Sequence, residues 1–183
     1  MVSYDSISKL LQEHLSTNET LRAKQLMKEM KKAKNEGVFT KDFLLEIIEW
    51  KSPRSKGYWK SNNKEYVREI SKRFFQLKDD KNRMRCLREL HGVGVPVATA
   101  ILTLSDPKNY CIIDYHAWQL LYDYGLVTEK EDGNNLGVKN WLQFLEIIRQ
   151  LAQKFQVKAR DIERTIFDYH KGKVNNNLEN KCH

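Results

Sequence analysis

A glycine–valine–glycine turn set between two apolar, helix-like patterns constrains this chain more than any other feature. The stretch reads Leu87-Arg88-Glu89-Leu90-His91-Gly92-Val93-Gly94-Val95-Pro96-Val97-Ala98 and stays apolar to Leu104. It then turns at Asp106-Pro107 and closes on Ile112-Ile113-Asp114-Tyr115-His116-Ala117-Trp118. Leu87 and Leu90 stand three apart, so they can share one face of a short helix. Gly92 and Gly94 permit backbone angles that other residues avoid. Pro96 stands where a second helix would begin, a position that tolerates its missing N–H. Helix, hairpin, helix is the expected structure over 82–105. No period-two alternation persists elsewhere, so the whole chain is expected to be all-α.

A tight turn that opens a helix presents unpaired N–H groups at the positive end of the helix dipole, which suits a phosphate. Glycines there would also let a nucleic-acid backbone approach closely, and such contacts position a duplex without reading its sequence. His91, Gly92, Val93, Gly94 and Val95 are therefore the expected DNA-binding turn. An ordinary αα-hairpin, with glycines that only cap and turn, explains the same residues without a ligand.

Asp114 follows the apolar pair Ile112-Ile113 and precedes a helix-like run from Tyr115 to Tyr124. A helix N-cap is its expected place, and Asp is a favoured cap with no further task required. Beside it lie Tyr115, His116 and Trp118, so a carboxylate, an imidazole and two aromatic rings are concentrated in one first turn. The helix dipole discourages protonation of His116 there, which makes it a neutral hydrogen-bond partner rather than a cation.

The charge is unevenly placed. Between Lys51 and Glu89 there are 13 Lys/Arg against 5 Asp/Glu, an excess equal to the net +8 of the whole chain. The basic excess runs into the hairpin, as a nucleic-acid footprint does, although a solvated helix face would read the same way. Within it, the loop from Trp50 to Lys60 mixes three aromatic rings with four basic groups around Pro53 and Gly57. Rings that stack bases and cations that meet phosphates suit an opened strand or a flipped base. Lys51 and Arg54 are the expected phosphate contacts. Trp50, His116 and Trp118 are the candidate base pocket, with core packing as the competing explanation for each.

The rest of the chain reads as amphipathic helices. They are expected over Asp5–Leu15, up to Asn35 before Gly37, Thr40–Trp50, Asn63–Leu77, Asn82–Leu90, Val138–Phe155 and Ala159–Lys171, with a frayed tail at 173–183. At 183 residues, 40% of them hydrophobic, the chain can form one compact unit over 1–183. No run approaches the ~20 apolar residues that span a bilayer. The first residues lack a secretory pattern, and Cys86, Cys111 and Cys182 form no disulfide or zinc pattern. The expectation is a monomer without metal, without a membrane partner, cytoplasmic or associated with the nucleoid.

The pattern Leu87-x-x-Leu90-x-Gly92-Val93-Gly94-x-x-x-Ala98 resembles the helix-hairpin-helix of the DNA glycosylase superfamily that includes endonuclease III and 8-oxoguanine glycosylase. Asp114 falls where that superfamily keeps its catalytic aspartate, and Asp114-Tyr115-His116-Ala117-Trp118 looks most like the 8-oxoguanine branch. The likeness spans Leu87 to Trp118; the flanking helices agree only in kind. It implies a two-lobed helical fold, with a central lobe of about 40–125 and with 1–39 and 126–172 forming the other. It also implies binding to double-stranded DNA and hydrolysis of the N-glycosidic bond of a damaged base, with Asp114 stabilising the sugar cation and activating water. Two departures qualify it. Pro96 stands where bifunctional members carry a nucleophilic lysine, and proline forms no Schiff base, so a monofunctional enzyme is implied unless a lysine such as Lys51 takes that part. Three scattered cysteines cannot hold the iron–sulfur cluster of some members, which leaves no cofactor beyond a monovalent cation at the hairpin. Against the enzyme stand a non-catalytic helix-hairpin-helix DNA-binding protein, which needs Asp114 only as a cap, and a protein–protein adaptor, which predicts no salt-sensitive duplex binding.

Overall fold

Side-chain caps set where the helices begin. In the computed structural model, which describes residues 6–53, 57 and 61–179 (side chains through 175), all regular structure among those residues is helical. Ser6, Thr20, Thr40, Asn63 and Asp79 each accept the N–H three residues on. They open α1 (Ile7–His14), α2 (Leu21–Glu36), α3 (Lys41–Lys51), α4 (Lys64–Gln76) and α5 (Asp80–Leu87). Short polar side chains compete for backbone groups in this way, which is why they collect at helix starts. Then come α6 (Val95–Ser105), α7 (Tyr115–Asp123), α8 (Val138–Phe155) and α9 (Ala159–Glu179). Among the described residues no helix is long and apolar enough to cross a membrane.

The chain divides into a central unit, 19–106, and a terminal unit built from both ends, 1–18 with 107–183. In the central unit α6 is the axis and packs on α2, α3 and α5. Every residue of α6 from Val97 to Ser105 is buried, which is why its sequence is apolar all round rather than striped. In the terminal unit α9 packs on α1, α7 and α8. Trp118, Trp141, Phe144, Ile148, Ile162 and Ile166 fill its core. The start of α9 is tied to the chain's re-entry into this unit, since Ala159 and Arg160 N–H donate to the carbonyls of Lys108 and Pro107, both at 3.1 Å.

Three features differ from the sequence expectation. The first hairpin helix ends at Leu87, not Leu90, because the N–H groups of Glu89 and Leu90 turn tightly onto the carbonyls of Cys86 and Leu87. The division falls elsewhere at two helices: α2 packs on α6 in the central unit, and α7 packs on α9 in the terminal one. Finally, the last helix continues through Glu179 instead of fraying after Lys171. Its lone interior Gly172 is a penalty of about 1 kcal/mol, no proline follows, and Lys173 pairs with Asp123 of α7 at 3.6 Å.

Candidate nucleic-acid interface and the Asp114 cap

The hairpin is built from alternating anchors and open positions. Leu87, Leu90, Val93 and Val95 are buried, while His91, Gly94 and Pro96 are exposed. Val93 and Val95 can therefore offer a ligand their backbone but not their side chains. Val93 N–H donates to the Leu90 carbonyl at 3.1 Å, closing the turn. Gly92 supplies the left-handed residue at φ +80°, which a Cβ would strain. Gly94 differs. Its φ of −76° and ψ of 179° are ordinary extended backbone, and an added Cβ would meet only Pro96 Cδ at 3.8 Å. It caps α6 without any side-chain bond, so nothing on the residue itself covers the first N–H groups of that helix.

Asn62 holds this turn in shape, and sequence reasoning missed it. Its side chain is 1% exposed. Its Nδ2 donates to the His91 carbonyl at 2.8 Å, and its Oδ1 accepts from His91 N–H at 2.9 Å. The amide thus completes the turn as a neighbouring backbone strand would. The available signal was slight: Asn63 alone caps α4, which left Asn62 with no local task.

The basic excess is partly committed within the fold. Arg73 pairs with Glu89, and Arg83 lies over the Phe74 ring at 4.8 Å. Contacts to Cys86 and then to Glu89 hold the Arg73 guanidinium firmly in its charged form. The remaining cations form stripes. Lys64, Arg68 and Lys72 recur every four residues on α4, Lys81, Arg85 and Arg88 at helical spacing through α5 and its cap, and all are exposed. Trp50 and Lys51 end α3 and are half-buried in the same unit. Arg54, the other expected phosphate contact, lies outside the described residues.

Asp114, His116 and Trp118 come together in the terminal unit, in the first turn of α7 and its cap. Ile112 and Ile113 are buried, and Asp114, half-buried, caps the helix: its Oδ1 accepts from His116 N–H at 3.0 Å. His116 Nδ1 lies 3.0 Å from His170 Nδ1 on α9, with Phe167 packed edge-on to the His116 ring. Burial, and then the charge His116 can carry, push the His170 imidazole below its ordinary value. Trp118 does not offer itself as a pocket wall. It is fully buried, and its Nε1 donates to the carbonyls of Glu129 and Lys130 at 3.2 and 2.9 Å, pinning the loop that follows α7. Gly133, at φ +62°, lets that loop pass over Tyr115, where a Cβ would lie 3.0 Å from the ring and 3.2 Å from the carbonyl oxygen.

These arrangements can do two kinds of chemistry. A glycine turn beside striped cations can receive a polyanion. A carboxylate fixed by a backbone N–H can stabilise a nearby cation or orient water without reorganising. Glu163 and His170 are further polar groups of the Asp114 region that local sequence did not reveal, because they approach it from about 50 residues away along the chain. No family model matches the chain, and it matches neither a curated protein nor a solved structure.

Proposed function

We propose that the protein binds double-stranded DNA through the turn at His91–Val95 and hydrolyses the N-glycosidic bond of a damaged base, with Asp114 as the reacting carboxylate. Gly94 carries the binding half of this reading. The fold does not require a glycine there, because neither its backbone angles nor its surroundings exclude a Cβ. A phosphate that approaches the turn closely gains from the missing Cβ. The stripes on α4 and α5 supply the long-range attraction, with Lys51 as a phosphate contact, and the first N–H groups of α6 supply the grip.

Leaving of the base builds positive charge on the sugar. Asp114, held at the N-cap of α7 by His116 N–H, meets that charge as an ionised group and orients the attacking water. Pro96 at N2 of α6 provides no amine, so the expected product is an abasic site unless a lysine such as Lys51 supplies the nucleophile. The reading includes no iron–sulfur cluster or membrane partner, and it allows a monovalent cation at the hairpin.

The test is a panel of labelled duplexes with single lesions, scored for abasic sites after alkali, with a borohydride trap for any lysine adduct. Asp114→Asn should lower turnover by about 10²-fold or more while leaving duplex affinity in place. Cleavage by Asp114→Asn at the wild-type rate would mean that the carboxylate is only a cap. A second reading, a non-catalytic DNA-binding protein, is favoured by that same capping bond to His116, which is a sufficient structural task for Asp114. Under it, Asp114→Ser and Asp114→Asn keep both fold and duplex binding, and no lesion is cut.

A further inference from the structure

Helix α9 grips the Asp114 segment on both flanks. Glu163, 2% exposed, accepts from Ile112 N–H at 3.3 Å and from Arg160 Nη1 at 2.5 Å. His170 lies seven residues further on, about two turns along the same face, and is 5% exposed. Its Nδ1 stands 3.0 Å from that of His116. Ile112 and His116 are the second residues before and after Asp114, so the carboxylate sits midway between two points fixed to one rigid helix. His116 closes the chain of contacts, since its backbone N–H is the donor to Asp114 Oδ1.

We propose that Glu163 and His170 are positioning residues for Asp114, and that α9 is a splint that keeps this carboxylate aimed while the protein works. The proposal rests on the reading of Asp114 as the reacting group. Neither residue needs to touch a substrate. Glu163 fixes the backbone that delivers Asp114, and its charge is balanced by Arg160 in the same buried corner. His170 fixes the ring of the residue that holds the Asp114 oxygen. Two Nδ1 atoms at hydrogen-bond distance must differ, one carrying the proton and the other a lone pair. The two rings are therefore locked in opposite tautomers, and the lock is lost when both are protonated. The charged groups around His170 are His116, Asp114 and Asp123 from α7 and its cap, and Lys173 on α9 itself.

The wild-type protein gives the first test. Imidazole ¹⁵N spectra should show one ring of the pair as the Nδ1–H tautomer and the other as Nε2–H; both rings as Nε2–H would overturn the proposal. The second test uses His170→Phe, which keeps a ring and removes its nitrogens, and His170→Gln, which keeps a polar partner. His170→Phe should lower kcat on a cleaved lesion by roughly ten- to a hundredfold with KM nearly unchanged. It should also speed amide exchange at His116, and Glu163→Gln should do so at Ile112. His170→Gln should recover part of both effects. Unchanged kcat and unchanged exchange in His170→Phe would overturn the splint and leave the glycosylase reading intact. If the wild type cuts no lesion, the glycosylase reading falls, and the tautomers and exchange rates still decide whether α9 holds the segment. A His170→Phe protein that fails to fold leaves the wild-type spectra to decide.

Discussion

Substitutions at the two hairpin glycines should separate the needs of the fold from the needs of a ligand. Gly92 sits at φ +80°, where a non-glycine residue costs about 1–2 kcal/mol, a drop of roughly 2–8 °C in Tm for a chain of this size. At Gly94 the terms nearly cancel. Alanine is a poorer N-cap than glycine by about 0.5–1 kcal/mol, and it recovers about 0.4–1 kcal/mol from the unfolded chain. Asp at this position should even stabilise by about 0.5–1 kcal/mol, because its carboxylate would accept from the first turn of α6. Binding should respond in the opposite sense. Losing one charge-assisted contact of about 1.5–3 kcal/mol weakens duplex affinity roughly ten- to a hundredfold. Gly94→Asp adds repulsion to that loss. The assay pairs thermal melts with fluorescence anisotropy on a labelled duplex at two salt concentrations. Gly94→Asp should melt higher than wild type and bind worse. If Gly94→Asp binds as well as wild type, the hairpin is a plain αα-turn, and the reasoning from its missing side chain fails.

Other outcomes follow from buried groups. Asn62→Ala leaves the His91 N–H and carbonyl without their partner, a loss of about 1–3 kcal/mol in chemical denaturation, and duplex affinity should fall with it. Asn62→Asp should be no better, since a carboxylate would face the His91 carbonyl. His170 is held below its ordinary 6.5 by burial and then by His116, so the unfolded chain binds its proton first. Its contribution to stability is complete above 6.5 and falls as pH drops from there toward the lowered folded-state value. Urea melts across that window should show this slope, and His170→Phe should flatten it. Trp118 donates to two carbonyls, whereas the buried Nε1 of Trp141 has no partner among the described residues. Trp118→Phe should therefore destabilise by about 1–3 kcal/mol more than Trp141→Phe, as compared by urea midpoints.

What could be read from the sequence was what local chemistry decides. Thr40 and Asn63 each announced a helix start, Gly37 and Gly125 each announced a stop, and α8 begins and ends at the residues its apolar stripe implies. The Asp114 cap was legible for the same reason, because the bond it makes spans only two residues. Partners brought from far along the chain were not. Nothing near Asn62 signals that it completes a turn around His91, and nothing near Glu163 or His170 points to Ile112 or His116. Asp106-Pro107 reads as a turn in the sequence, but the division falls there and after residue 18 instead of at the expected boundaries near 40 and 125. Which unit α2 and α7 would join depends on tertiary packing, which local sequence does not specify. Trp118 could be read either as a pocket wall or as core, and only the packed structure decides for core. An aromatic beside a candidate carboxylate reads as a pocket wall, whereas carbonyls eleven and twelve residues further on take its indole N–H.

The two demands that the proposed function places on Asp114 are compatible, so the capping bond does not exclude chemistry. A carboxylate has about four lone-pair directions, so the bond from His116 N–H alone does not exhaust them. A side chain fixed by a backbone donor at the start of a helix loses little further freedom when a substrate arrives, so its field is already oriented where charge will develop. The helix N-terminus favours negative charge at that place. A cap is thus a cheap way to preorganise an acid. It becomes a catalytic device when something stops the first turn from yielding under load, and in this chain the candidates for that restraint are the Glu163 and His170 contacts from α9. The double hold on 112 and 116, more than the aspartate alone, distinguishes this segment from a simple helix start.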